Sequence, residues 1–326
     1  MKQIVVRPIL SDEEIKSLEG SFISEKFIRH PLITDDTIVK DHTGRLILVF
    51  KKNAIPQHVV DNARNSFRKA VRSGSNNRGM ASGNVSDLYK VGDKIGSRTI
   101  GKVSKNRWYP LLPNGTLSKT SYGINVLSST IGFNDRYPRI PYCRTSVFTQ
   151  RNLPAYHKTL PYILWIDKVY QEYAPHHHKL QKKITDATSQ DFVIKGSAFT
   201  TVTVNRNYRT ACHYDKGDYA KGFGNLGVLR LGKYTGAYTV LPKYGIGIDL
   251  SDSDVSLFDV HELHGNTELK RIGYSERISI VCYYRESMIY CGDSTYELER
   301  AKKGLKTKYT MEEKERVDKL LQEINA

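Results

Sequence analysis

Residues 210–229, TACHYDKGDYAKGFGNLGVL, hold two motifs that imply different folds. Gly222, Gly224 and Gly227 spell G-x-G-x-x-G, the turn that cradles a pyrophosphate between a parallel strand and the helix after it. His213 and Asp215 form an H-x-D, half of a common iron site. The residues after Gly227 decide between them. They read VLRLGKYTGAYTV, another strand pattern with glycines of its own, where a dinucleotide fold requires a helix. The glycine motif is therefore a chance match in a loop.

FTTVTV, LGVLRL, TGAYTVLP, YGIGIDL, VSLFDV and RISIVCYY fill residues 195–290, separated by Gly, Pro, Asp and Asn turns. Short strands at this spacing, without helices between them, indicate a sandwich or barrel. On a strand, residues i and i+2 share a face about 6.5 Å apart. His213 and Asp215 can then face one ion with Tyr214 turned away. A third ligand comes from DVHELHGN (259–266), as His264 or His261. Two imidazoles and a carboxylate form the facial triad that leaves positions open on Fe(II). In ERISIVCYY, Arg277, Ser279 and Val281 alternate with Ile278, Ile280 and Cys282, so Arg277 and Ser279 point together. A guanidinium fork with an adjacent hydroxyl suits the distal carboxylate of 2-oxoglutarate.

The chain has 326 residues, 39% of them hydrophobic, enough for a packed core of one large domain or two ordinary ones. Its 50 Lys and Arg against 34 Asp and Glu give a net charge of +16, which favours a polyanionic partner, nucleic acid first. No run of about 18 apolar residues offers a membrane span, and MKQIVVRPILSDEE lacks a signal-peptide core. The expectation is an intracellular, unsecreted protein, in a bacterial or phage-infected cytoplasm or a nucleus, with no obligate protein partner. Cys143, Cys212, Cys282 and Cys291 show no C-x-x-C spacing and are expected to be reduced structural thiols.

Upstream, the pattern mixes helices with irregular segments. Ser11 and Glu14 form a capping box, and a helix is expected over 56–73. Arg64, Arg68 and Arg72 line one face of that helix, as a solvated row or as phosphate contacts. Residues 74–122 are rich in Gly, Ser and Asn and read as surface loops, with Arg78, Lys102, Lys105 and Arg107 beside Trp108 and Tyr109 as a base-stacking, phosphate-gripping surface. LPYILWIDKVYQEYAP reads as a helix interrupted at Pro175, and His176–His178 as a solvated run. Three consecutive residues on a helix cannot converge on one ion. Thr310 and Glu313 cap a C-terminal amphipathic helix with Val317, Leu320, Leu321 and Ile324 on its docking face.

The stretches NRGMASG (77–83), RTSVFT (144–149), 199–229, LPKYGIGIDL, DVHELHGN and RISIVCYYRESM resemble the TET/JBP family of Fe(II)- and 2-oxoglutarate-dependent nucleic-acid dioxygenases, its phage and algal branches in particular. The resemblance spans most of residues 75–300 and implies an α+β chain with a double-stranded β-helix (jelly-roll or cupin-like) core over 195–290. An N-terminal helical and loop part with DNA-contacting elements (1–194) and a C-terminal helical extension (291–326) would flank that core in a single dioxygenase domain. It puts the iron ligands on His213, Asp215 and His264, preferring His264 because the family's metal histidine precedes Gly-Asn, and the cosubstrate arginine on Arg277. Asn205 or Asn207 would bind 2-oxoglutarate, with a turn role for NRN as the alternative. Asn77, Arg78 and Arg144 are expected near the base or cosubstrate.

The implied activity is oxidation of DNA 5-methylcytosine to 5-hydroxymethylcytosine and further products, with O2 as cosubstrate and succinate and carbon dioxide released. Thymine hydroxylation is the runner-up, and a non-catalytic nucleic-acid-binding barrel the less favoured alternative. A methyl group inside duplex DNA is reached only if the base is flipped out.

Overall fold

The computed structural model describes residues 1–305 and 307–325. The chain opens with β1 (Lys2–Val6), the capped helix α1 (Asp12–Ser17) and the hairpin β2 (Thr37–Asp41) and β3 (Leu46–Lys51). Helix α2 (Gln57–Ala70) follows, then α3 (Val85–Leu88) and a small sheet of β4 (Lys94–Ile95), β5 (Arg98–Val103) and β6 (Trp108–Leu111). β7 (Ser128–Asn134) and β8 (Arg144–Thr145) return to the body, and α4 (Val147–Arg151), α5 (Leu153–Tyr173) and α6 (Pro175–Ala187) cover it. The strand-rich part comprises β9 (Thr201–Arg206), β10 (Gly224–Gly236), β11 (Thr239–Leu241), β12 (Ile246–Ile248), β13 (Val255–Phe258), β14 (Gly265–Asn266) and β15 (Leu269–Tyr283). Two helices, α7 (Ser294–Lys302) and α8 (Met311–Asn325), close the chain.

A nine-stranded sheet in the order β1-β2-β3-β13-β10-β15-β9-β7-β8 faces a smaller one, β12-β11-β14. This is the double-stranded β-helix that the TET/JBP resemblance implies, a form of the sandwich or barrel read from the strand pattern, with helices outside it. Alternation along β15 separates its two faces. Ile278, Ile280 and Cys282 pack outward with Val202 and Val204 against Phe67 of α2 and Tyr162, Ile163 and Ile166 of α5. Arg277, Ser279, Val281 and Tyr283 turn inward and line a cavity between the sheets. Gly227 lies in β10, where a side-chain carbon would come within 2.4 Å of the Tyr162 hydroxyl, and at Gly224 one would meet Val260 at 2.1 Å. These glycines serve close packing and no phosphate.

Several expectations change. The first 150 residues are not only helical and irregular, because β1–β3, β7 and β8 complete the large sheet, and residue 194 marks no break in it. Residues 74–122 are not bare loops, since Val85, Ile100, Trp108 and Ile124 form a small core of their own. Trp108 is buried there, stacked on Tyr122 with centroids 5.0 Å apart, and offers no face to a base. The helix expected from Leu160 begins at Leu153 and carries Pro161 inside, while Pro175 opens the next helix. The histidine run is solvated only at His176: His178 is buried 3.3 Å from Asp167, and the His177 ring stacks on Phe223 at 4.0 Å. Cys143 and Cys291 form a disulfide rather than free thiols, whereas Cys212 and Cys282 are free and buried. The C-terminal helix docks as expected, burying Val317 with Leu320 and Leu321 packed nearby, its start capped by Thr310 and Glu313. No described helix is long and apolar enough to cross a membrane.

Candidate active site

His213 and His264 come together through the backbone. Outside any regular strand, they form an antiparallel bridge, His213 N–H donating to His264 O at 2.9 Å and His264 N–H to His213 O at 3.1 Å. Each imidazole Nδ1 then meets a carbonyl two residues earlier, Ala211 O at 2.8 Å and Glu262 O at 3.0 Å. In the neutral ring Nδ1 carries the proton for that contact, which leaves the Nε2 lone pair on the cavity side. Asp215 completes the set, its two oxygens each 3.6 Å from one Nε2. The three ligand atoms lie within 4.8 Å of one another, and two imidazoles with one carboxylate is the donor set that suits Fe(II). Burial, and then the neighbouring His213, push His264 down to about 4, so it is neutral and able to ligate at physiological pH. Tyr214 turns away and packs beside Ile15, Ile23 and Leu263. The pairing of H-x-D with HGN thus needs no regular strand, only an extended bridge.

His261 is not part of the cluster. Its Nδ1 lies 3.3 Å from Asp259 and its Nε2 3.3 Å from the Asp218 carbonyl. Arg45 organises this loop from the β2–β3 turn, contacting Glu262, Asp259 at 2.7 Å and the Tyr244 hydroxyl at 2.9 Å. Arg45, far away in sequence, thus ties down the loop that leads to His264.

The cavity holding the triad is about 420 Å³, within the ordinary range for small-molecule sites. Arg277 lies in its wall, 6% exposed, and burial pushes its guanidinium below the usual arginine range. Among the described residues no ion pair engages it. A buried cation left unpaired is costly, so an anionic ligand fits there. Ser279 stands on the same face, 3.4 Å from the Asn205 amide, and both line the cavity. Asn207 does not. With φ 47°, it bonds the Arg277 backbone from both sides, its N–H donating to Arg277 O and its Oδ1 accepting from Arg277 N–H, each at 2.8 Å. Of the two roles read for NRN it takes the turn, and it fixes the arginine without reaching the cavity.

The expected DNA residues divide. Asn77 and Arg78 line the cavity. Arg144 does not, because its guanidinium is held by the carbonyls of Asp135 at 2.9 Å and Tyr142 at 3.3 Å. Arg64 bonds Asp252 at 2.7 Å and Arg68 bonds Glu276 at 2.7 Å, so the row on α2 is anchored to the body and only Arg72 is fully exposed. Lys102 and Lys105 are exposed and Arg107 half-buried, with Lys102 5.8 Å from the Tyr109 ring.

Three further cavity residues leave no mark in the sequence pattern. Asp218 is buried, and burial together with the Asp215 charge raises its carboxyl well above the usual range. Tyr208 presents a buried hydroxyl with no hydrogen-bond partner among the described residues. Arg285 lies nearby, bonded to Asp135 at 2.8 Å.

Comparison with known proteins agrees with this geometry. Residues 132–286 match the Tet_JBP family, the oxygenase domain of the 2OGFeDO superfamily, which uses Fe(II) and 2-oxoglutarate. The bifunctional helicase and thymine dioxygenase JBP2 of Leishmania tarentolae is 37% identical over 186 residues, 56% of this chain and 16% of that protein. Thymine dioxygenase JBP1 of Trypanosoma brucei brucei is 37% identical over 173 residues, 51% of this chain and 20% of the relative. JBP2 of Trypanosoma brucei brucei (strain 927/4 GUTat10.1) is 30% identical over 289 residues, covering 86% of this chain and 22% of its own length. The chain thus spans only about a fifth of the length of these relatives. NgTET1, solved in complex with 5mC DNA, superposes with a TM-score of 0.50 at 12% identity, over 90% of this chain and 100% of that one, which shows a shared fold. The TET/JBP resemblance read from the motifs therefore stands.

Proposed function

Because residues 132–286 match a TET/JBP oxygenase domain, we propose that this protein is an Fe(II)- and 2-oxoglutarate-dependent dioxygenase that hydroxylates the 5-methyl group of a pyrimidine in double-stranded DNA. One observation carries the reading: a two-histidine, one-carboxylate cluster shares a cavity with a buried arginine that has no carboxylate partner among the described residues. His213, Asp215 and His264 would hold the iron, which when bound supplies the oxidising chemistry that converts 2-oxoglutarate to succinate and carbon dioxide. Arg277 and Ser279 hold the distal carboxylate of the cosubstrate, and Asn205 steadies Ser279. Asn77, Arg78, Tyr208 and Asp218 surround the space left for a flipped base.

Thymine is the better supported substrate, ahead of the 5-methylcytosine expected from the sequence. The relatives at 30–37% identity are thymine dioxygenases. The test is incubation with Fe(II), 2-oxoglutarate and DNA containing both bases, followed by nucleoside mass spectrometry. Formation of 5-hydroxymethyl-2′-deoxyuridine in step with succinate is expected. Formation of 5-hydroxymethylcytosine alone would restore the other base, and succinate without an altered nucleoside would overturn the DNA reading.

A further inference from the structure

Residues 85–126 leave the body and return to it at one point. Ser75 and Val126 bridge the neck, with N–H to O distances of 2.7 and 3.0 Å in the two directions, and Arg107 reaches the Asn76 carbonyl at 3.4 Å. The excursion has its own core around Val85, Ile100, Trp108 and Ile124. Its neck continues directly into Asn77–Ala81, which form one wall of the cavity.

The excursion is strongly basic. It carries seven Lys and Arg against two Asp. Elsewhere basic side chains are often tied to carboxylates, as at Arg45, Arg64, Arg136 and Arg300. Among the described residues none of the seven has an ion pair, and Lys90, Lys94, Arg98, Lys102, Lys105 and Lys119 are exposed. Asp87 faces the Asn84 amide and Asp93 the Lys90 backbone N–H, so neither is committed to a cation. A folded module that concentrates unneutralised cations and is joined by its neck to a cavity wall suits a phosphodiester backbone, whose charge density rewards neutralisation by counterion release.

We propose that residues 85–126 form a wing that grips the duplex backbone next to the base entering the cavity. This rests on the reading of that cavity as a nucleobase site. The wing contributes affinity independent of sequence, and the cavity contributes the choice of base.

The test compares wild-type protein with a Lys90→Glu/Lys94→Glu/Lys119→Glu variant, by fluorescence anisotropy with a labelled duplex of about 30 base pairs over about 50–200 mM salt. A Lys158→Glu/Lys179→Glu variant, on exposed positions of α5 and α6, is the comparison for charge alone. The wing variant is expected to bind roughly tenfold or more weakly at low salt and to lose about one unit of log–log salt slope per lysine that meets a phosphate. Arginine at the same three positions restores binding. Thermal unfolding confirms that the variant is folded. Wild-type affinity in the wing variant, an equal loss in the α5–α6 variant, or a loss confined to anionic phosphatidylserine vesicles would each overturn the wing. If duplex binding falls as expected while wild-type protein oxidises no methylpyrimidine, the wing stands and the catalytic reading fails.

Discussion

His264 and Arg277 show how a few side chains divide the labour of the cavity. Replacing His213 or Asp215 by alanine removes one of the three proposed iron ligands, so Fe(II) retained after gel filtration, read by elemental mass spectrometry, should fall close to background with the protein still folded. Full retention in Asp215→Ala would overturn the metal centre. Arg277→Lys keeps the charge and loses the planar fork. The KM for 2-oxoglutarate should rise at least tenfold, about 1.4 kcal/mol or more, while the KM for DNA changes little. The triad and this arginine are legible because H-x-D and R-x-S are short-range patterns whose alternation fixes direction. Asp218, Tyr208 and Arg285 are not, since their burial comes from loops closing over the cavity and leaves no periodic trace. Asn207 looks like Asn205 in sequence, and only its left-handed backbone, φ 47°, separates a bond to the Arg277 backbone from a place in the cavity.

The β2–β3 turn acts at a distance on the metal side. Asp41 accepts from Thr43 N–H at 2.9 Å and from Arg45 Nε at 3.2 Å, and Arg45 reaches on to Asp259 and Glu262 beside His264. Burial alone would raise the Asp41 carboxyl, but the Thr43 and Arg45 hydrogen bonds outweigh it and hold the group at about 2, below the usual aspartate range. A depressed carboxylate stabilises the fold above its unfolded value and loses that contribution as pH falls toward 2. Asp41→Asn should therefore cost about 2 kcal/mol at pH 7, with the gap to wild type closing between about pH 4 and pH 2, measured by urea unfolding. A gap that stays constant over that range would show that the carboxylate charge is not the cause. Arg45→Ala should also weaken iron retention by loosening the 259–264 loop. Elements at this scale are partly legible. The strand runs from 195 onward stand out through alternation and turn residues, whereas β1–β3 join the large sheet only through β3, which pairs with β13 roughly two hundred residues away. Their place in the sheet is set by long-range pairing. The pair Cys143 and Cys291 is hidden for the same reason, its members 148 residues apart.

At the scale of the whole molecule, that disulfide joins the catalytic body to its C-terminal helices. Next to it, Arg136, 1% exposed, contacts Glu297 of α7 and Glu313 of α8, and Arg300 bonds Glu313 at 3.0 Å. Glu297 also accepts from the Cys143 N–H at 2.7 Å and the Gly292 N–H at 2.9 Å, so covalent and ionic links share one node. Closing a loop of this length restricts the unfolded chain, and losing the link should cost about 2–5 kcal/mol. None of these residues lines the cavity. Cys143→Ser should then lower the thermal midpoint and speed amide exchange first in α7 and α8, while exchange in β15 and Fe(II) retention stay near wild type. A uniform rise in exchange that included β15 would mean the C-terminal helices are an integral part of the barrel's cooperative unit.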